Sequence, residues 1–304
     1  MKREFLYLLG LSMIVIIYSC QKSANTSPAT PVSNNTATST SHHGMGAVLS
    51  QAKFQQIRHI DFEAVRQQLI RKGYSKVIES TKTGSLPSSI ILTHPAVGDQ
   101  GQTGTCVSWS SGWALSGTLN NEFPVTGVSN PRSGWYVYQV DHSSQGDCDP
   151  DDGMYVTGGL DILVSNGVPA ASLDASLGSP CNYPSATQNN NAATDRITNY
   201  GALSTVADVK TALSMHLPVE MGFNVYSSFE TAFNNGTIFK RISGSLLGGH
   251  AICIIGYDDS KNAVLIQNSW GTSGGDATYP GCMWLDYSTL TNSRMGIELY
   301  SVWR

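Results

Sequence analysis

An α+β fold with two lobes is predicted for this 304-residue chain, and three observations predict it. Apolar residues recur at helical spacing through the first half. Short alternating or continuous apolar runs dominate the second half. Helices first and strands second, with no internal repeat, suit two packed layers around separate faces. Composition agrees: apolar residues make up 40% and glycine contributes 30 positions, which describes a folded, loop-rich globule able to bury its own core. A net charge of -4, with no basic run long enough to neutralise a phosphate backbone, excludes a nucleic-acid binder.

The amino end carries an address. Lys2 and Arg3 precede an apolar run from Phe5 to Tyr18, which is short for a ~20-residue membrane span and patterned as a signal peptide over residues 1–19. Its ending, Ile17-Tyr18-Ser19-Cys20, resembles a bacterial lipobox. That resemblance implies cleavage before Cys20, lipidation of Cys20, and a place in the bacterial cell envelope, at the outer membrane, facing periplasm or exterior. An ordinary secretory signal is the alternative, and either route leaves the cytoplasm for a compartment where disulfides persist. Residues 20–46 have almost nothing apolar to bury and read as a disordered tether, with His42 and His43 as a solvated pair rather than metal ligands.

The body is taken in order. Residues 47–85 form an amino-terminal arm in which Phe54, Ile57, Phe62, Val65 and Leu69 have helical spacing, broken near His59–Asp61, with Asp61 as cap and Gly73 as stop. Residues 86–304 form the main domain. A helix is predicted from Cys106 to about Asn120. A second opens at Asn130-Pro131 and runs through Val140, because proline needs no hydrogen-bond partner in a first turn. A third spans Gly153–Ser165, and residues 181–204 read as polar loop. Val206–Met215 is helical. Pro218–Val225, Ala251–Tyr257, Ala263–Gln267, Met283–Tyr287 and Gly296–Val302 are β-prone.

Three features carry chemistry. Cys106 follows the glycine-punctuated turn 99–105 where a helix begins, so its thiol meets the positive helix end. His250 follows Gly248-Gly249, which leaves open space beside the imidazole. Asn268, in Gln267-Asn268-Ser269-Trp270-Gly271, offers an amide oxygen that fixes a histidine tautomer. By spacing alone, a disulfide half, an incidental histidine and a glycine turn stay open as readings.

The segment QGQTGTCVSWS (100–110) resembles the active-site segment of papain-like cysteine peptidases, GGHAICIIGY (248–257) their histidine strand, and LIQNSWG (265–271) their asparagine segment, in the family's order. Asp147-Cys148-Asp149, Tyr183-Pro184 and Leu217-Pro218-Val219 are weaker echoes. The resemblance implies a helical left lobe and an antiparallel, β-barrel-like right lobe with the site in the cleft between them. It implies Cys106 as nucleophile, His250 as acid/base, Asn268 as its orienter, Gln100 as oxyanion donor and Trp270 as the indole shielding the His–Asn bond. It further implies peptide-bond hydrolysis without a cofactor or metal, by a monomer acting on peptide or protein substrates. The main specificity pocket is walled by Met221, Gly222, Gly248, Gly249, Ala251 and Val302, and prefers apolar side chains. An exopeptidase or amidase, and a non-catalytic binding or adhesion module, are the alternatives.

Thr103 stands where relatives commonly carry a cysteine, and the partner position after Cys148 lacks one too. A Cys148–Cys181 bridge is what the resemblance leaves, with Cys253 a buried thiol not paired to Cys282. The arm is expected to pack on the domain without blocking it, a shortened propeptide being the alternative. Cys106 and His250 are expected to share a thiolate–imidazolium pair, lowering the thiol's pKa and raising the imidazole's.

Overall fold

Most of the predicted elements are present, and their capping residues explain where they begin. The computed structural model describes residues 43–74, 85–146, 148–174 and 180–304; the signal peptide, Cys20 and the tether up to His42 lie outside these, as does Asp147. Strand β1 (Ala47–Val48) is followed by helices Gln51–Phe54 and Phe62–Arg71. Ser50 caps the first through Lys53 N–H, and Asp61 caps the second through Ala64 N–H. Gly73, at φ +91, stops the second in a conformation that costs glycine nothing sterically. Val65 and Leu69 bury the inner face of this helix.

The left lobe is built on one helical rod. It starts at Cys106–Ser108, passes through a π-helical stretch Trp109–Leu115, and ends at Ser116–Glu122. Helices Tyr136–Gln145 and Val156–Ser165 pack on it, burying Leu115, Leu119, Val137, Leu160 and Leu163. Two boundaries differ from expectation. The second helix starts at Tyr136 rather than at Pro131, because residues 130–133 are drawn inward as loop. Arg132 is fully buried against Asp195, with Nε 2.6 Å from Oδ2, and the Ser133 hydroxyl accepts from the N–H groups of Trp135 and Tyr136. The third starts at Val156, since Met154–Tyr155 form strand β3, paired in parallel with β1.

Residues 181–204 are not all loop. Helix Ala186–Ala192 is fixed by a reciprocal capping box between Ser185 and Gln188, and Asn199–Ala202 is strand β4. Helix Val206–Ser214 has the same device in Thr205 and Asp208. Among the described residues a single disulfide, Cys148–Cys181, closes the left-lobe loops, whereas Cys253 and Cys282 are free buried thiols. Each of those two pairs with Gln267 on the strand between them, so a bridge has no path.

The right lobe is an antiparallel sheet in the order β4-β9-β5-β6-β7-β8, with β5 Val219–Tyr226, β6 Leu246–Asp258, β7 Ala263–Gln267, β8 Cys282–Asp286 and β9 Glu298–Trp303. Strand β2 (Ser89–Ile91) adds to the far end of β6. Among the described residues the sheet is open, with β4 and β8 as its edges, rather than closed into a barrel. β6 is longer than predicted because Gly248, Gly249 and His250 continue the ladder against Val225, Asn224 and Phe223. Helix Ser227–Asn234, which the sequence reading passed over, covers one face with Phe229 and Phe233.

Candidate active site

The three motifs converge between the lobes. Cys106 opens the left-lobe rod, His250 stands on β6, and Asn268 follows β7. His250 Nε2–H donates to Asn268 Oδ1 at 2.8 Å, and that oxygen also accepts the Ser269 N–H at 2.8 Å, which identifies it as the amide's oxygen end. Trp270 stacks on the imidazole at 4.7 Å, itself walled edge-on by Phe229 and Phe233. Water is therefore kept from the histidine–asparagine bond. Gln100 is stitched to the same segment: its N–H donates to Ser269 O at 2.9 Å, and its Oε1 accepts the Ser269 hydroxyl at 2.6 Å. Ser269 thus aims the Gln100 amide N–H at the cleft. Sequence reading missed this residue, although it sits beside Asn268 in the quoted motif.

What fills the cleft is the chain's own residues 43–50. The Gln100 Nε2–H groups donate to Gly44 O at 3.0 Å and Thr103 O at 2.8 Å. Met154 N–H donates to Gly46 O at 2.9 Å, and the Gly46 N–H faces the Cys106 sulfur. His43 stacks on the outer face of Trp270 at 4.4 Å, so the indole lies between two imidazoles. The fit leaves no room for side chains: a Cβ on Gly44 would stand 2.0 Å from Thr103 O, and one on Gly46 1.7 Å from Gly104 O. Residues 43–46, expected in the tether, are thus seated against the site. The described helices of the arm pack against the domain through Val65 and Leu69, while the segment leading into them lies along the groove.

This seating sets the electrostatics. Cys106 and His250 are both 0% exposed. Burial pushes the thiol up to about 11, against N–H groups of Ala251, Gly46 and Val107 that pull it back, with the nearby Glu220 charge adding to the rise. Burial likewise pulls the imidazole down to about 4, partly opposed by the Asn268 bond and helped by His43. His250 Nδ1 has no hydrogen-bond partner. With the segment in place, desolvation thus disfavours both charges of the expected thiolate–imidazolium pair.

The pocket residues divide between two faces. Gly222 pairs with Ala251 and Glu298 across β6 and β9, on the face turned to the left lobe. Leu49 fills the space over Gly222, beside Val156. Gly248 and Gly249 touch the segment at Met45 and Ala47. Met221, however, pairs with Ile252 and Leu299 and lies on the opposite face, since neighbouring strand residues alternate. Val302 pairs with Tyr200 at the β4 end, away from Gly222. Glu298 takes a place the sequence reading gave to apolar residues: its carboxylate accepts the Ser50 N–H and the Tyr300 hydroxyl.

The profile of the papain family cysteine proteases matches residues 93–286. The chain belongs to that family. Among curated proteins, Cathepsin B-like protease 1 of Arabidopsis thaliana is 36% identical over 75 residues, 24% of this chain and 19% of that protein. Cathepsin B-like cysteine proteinase of Schistosoma japonicum is 41% identical over 66 residues, 21% of this chain and 19% of that protein. The match thus spans about a fifth of these relatives' length. Over the whole fold, this papain-family chain superposes on Xylellain, a cysteine protease from Xylella fastidiosa, with TM-score 0.64 and 22% identity, covering 86% of this chain and 96% of that one. The value for proCathepsin B S9 from Trypanosoma congolense is 0.59 at 14% identity, covering 85% and 86%.

Proposed function

We propose that this chain is a thiol-dependent endopeptidase, held shut by residues 43–50 until they are displaced. The observation that carries the reading is the single constellation of Cys106 at the rod's start, His250 fixed by Asn268, and a Gln100 amide aimed by Ser269 at the position now taken by a peptide carbonyl oxygen. In that chemistry the Cys106 thiolate attacks a substrate carbonyl. The resulting oxyanion is held by Gln100 and the Cys106 backbone N–H. Protonated His250 hands its proton to the leaving amine, and water then cleaves the thioester.

The pocket over Gly222, with Leu49 in it, supports acceptance of medium apolar side chains, and Glu298 at its wall adds a hydrogen-bond acceptor. The signal and Cys20 support an exported enzyme anchored by lipid in a bacterial envelope. The test is hydrolysis of an unstructured protein by the wild-type chain and by Cys106→Ser. Turnover is expected to vanish in the variant while the circular-dichroism spectrum persists. Retained turnover by folded Cys106→Ser would remove Cys106 from the mechanism.

A further inference from the structure

Glu220 is a fully buried carboxylic acid with no place in the chemistry above. It stands on β5 and faces the left lobe, where the Ser111 hydroxyl, one turn beyond Cys106 in the rod, lies 3.2 Å from its Oε1. The same hydroxyl lies 2.7 Å from Val107 O. A serine has one proton to give, and a peptide carbonyl can only accept, so the shorter contact claims that proton. The contact with Glu220 is then satisfied only if the acid carries a proton and donates it to Ser111 Oγ. Glu220 Oε2 makes no well-formed hydrogen bond, and the Ser110 hydroxyl, likewise without one, only partly offsets the cost of a buried carboxylate there.

The groups facing Glu220 from the elements around it include no cation. The rod presents Ser110, Ser111 and Cys106; β6 presents Cys253 as cross-strand partner; β9 presents Tyr300, whose hydroxyl is committed to Glu298. Burial accordingly pushes the carboxyl up to about 8, with Ser110 and Ser111 holding it down in part, and its charge acts on both Cys106 and Cys253.

We propose that Glu220 is a positioning residue that ties the right-lobe sheet to the nucleophile rod as an uncharged acid, and that its ionisation slackens the tie and opposes the Cys106 thiolate. The chain of donors runs from Glu220 O–H to Ser111 O–H to Val107 C=O, the carbonyl one residue past the nucleophile. When Glu220 gives up its proton to solvent, Ser111 must turn its own proton to the carboxylate, and Val107 O loses its partner. Activity would then fall on the alkaline side for a reason separate from His250. The catalytic part of this inference rests on the peptidase reading.

Glu220→Gln mimics the neutral acid, because its amide N–H donates where the acid O–H did. Difference infrared spectra of the full chain between mildly acidic and alkaline pH should show a protonated-carboxyl band lost on alkalisation, absent from Glu220→Gln. The native state keeps this proton where the unfolded acid has lost it, so wild-type stability declines as pH rises from about 4.5 to about 8. The Tm of Glu220→Gln should therefore gain on wild type across that window. The kcat/KM of Glu220→Gln should stay within about twofold of wild type at neutral pH, with its alkaline limb displaced upward, while Glu220→Ala loses activity throughout. No protonated-carboxyl band, together with parallel Tm curves, would overturn the proposal. A band and a widening Tm gap with an unmoved alkaline limb would overturn the link to the nucleophile. Inactivity of wild type itself would count against the peptidase reading, and the infrared and Tm results would still decide the state of Glu220.

Discussion

Cys106 and His250 are both sealed beneath residues 43–50, and that burial disfavours the charged form of each. The linkage works in a definite direction. His250 is pulled from its ordinary 6.5 to about 4, so the seated state binds fewer protons than an open one between those values and loses relative stability as pH falls through them. Cys106 is pushed from 9.0 to about 11, so the seated state also loses relative stability as pH rises through that interval. Glu298, raised by burial, works the other way in acid. Basal activity of the full chain, relative to that of a chain with the segment displaced, is expected to be lowest between these two windows and to rise in acid. A flat ratio across pH would contradict this linkage. Gln100 offers a separate measurement. Removing one oxyanion donor typically costs ~3 kcal/mol of transition-state stabilisation, or roughly a hundredfold in kcat, so Gln100→Ala should lose about that much, and its Tm should fall as well, because Gly44 O, Thr103 O and the Ser269 hydroxyl lose a buried partner. Asn268→Ala should keep some activity, because Asn268 orients the ring and supplies no charge.

At the scale of elements, the segment 43–50 is held by its backbone together with the His43 ring on Trp270 and Leu49 over Gly222. Its carbonyls and N–H groups meet Gln100, Met154 and Cys106, and its glycines allow that approach. A β-branched side chain at Gly46 would collide with the backbone of Gly104, which cannot move aside cheaply. Gly46→Val is therefore expected to unseat the segment and raise the basal activity of the full chain several-fold, read with a fluorogenic peptide. Unchanged activity would mean that the segment does not restrain the enzyme. The legibility of the elements follows the same physics. Asp61 and the runs around Ala263–Gln267 were readable because caps and continuous apolar runs are local signals. The start at Tyr136 was not, because the partner that draws Arg132 inward, Asp195, is remote in sequence. Helix Ala186–Ala192 was readable through Ser185 and Gln188, but its Asn-rich composition masked the capping box. Nothing local marks HGMGAVLS (43–50) as a cleft-filling segment, since its fit depends on Thr103, Gly104 and Gly249 far along the chain.

Across the whole molecule, the site is a junction. Cys106 belongs to the left lobe and His250 and Asn268 to the right, so any loosening between lobes reaches the site. The left lobe carries the Cys148–Cys181 disulfide, with a sequence separation of 33. A loop of that size gives a chain-entropy contribution of roughly 3–4 kcal/mol. Replacing both cysteines by serine should lower stability by up to that amount in denaturant unfolding, leaving the order of events in catalysis unchanged. The motif residues of the site were legible from sequence because Cys106, His250, Asn268 and Gln100 each sit in a short, recognisable run. The pocket was less so: Met221 and Gly222 are adjacent, and only the strand register tells which of them faces the left lobe.

The most direct test of the account is mass spectrometry of Cys106 after exposure to a thiol-directed peptide electrophile, applied to the wild-type chain and to Gly46→Val. The account predicts slow modification of wild type, fast modification of Gly46→Val at Cys106, and hydrolysis of a peptide substrate that falls in proportion to the modified fraction. Equal labelling of both chains, or hydrolysis that persists once Cys106 is fully modified, would contradict it.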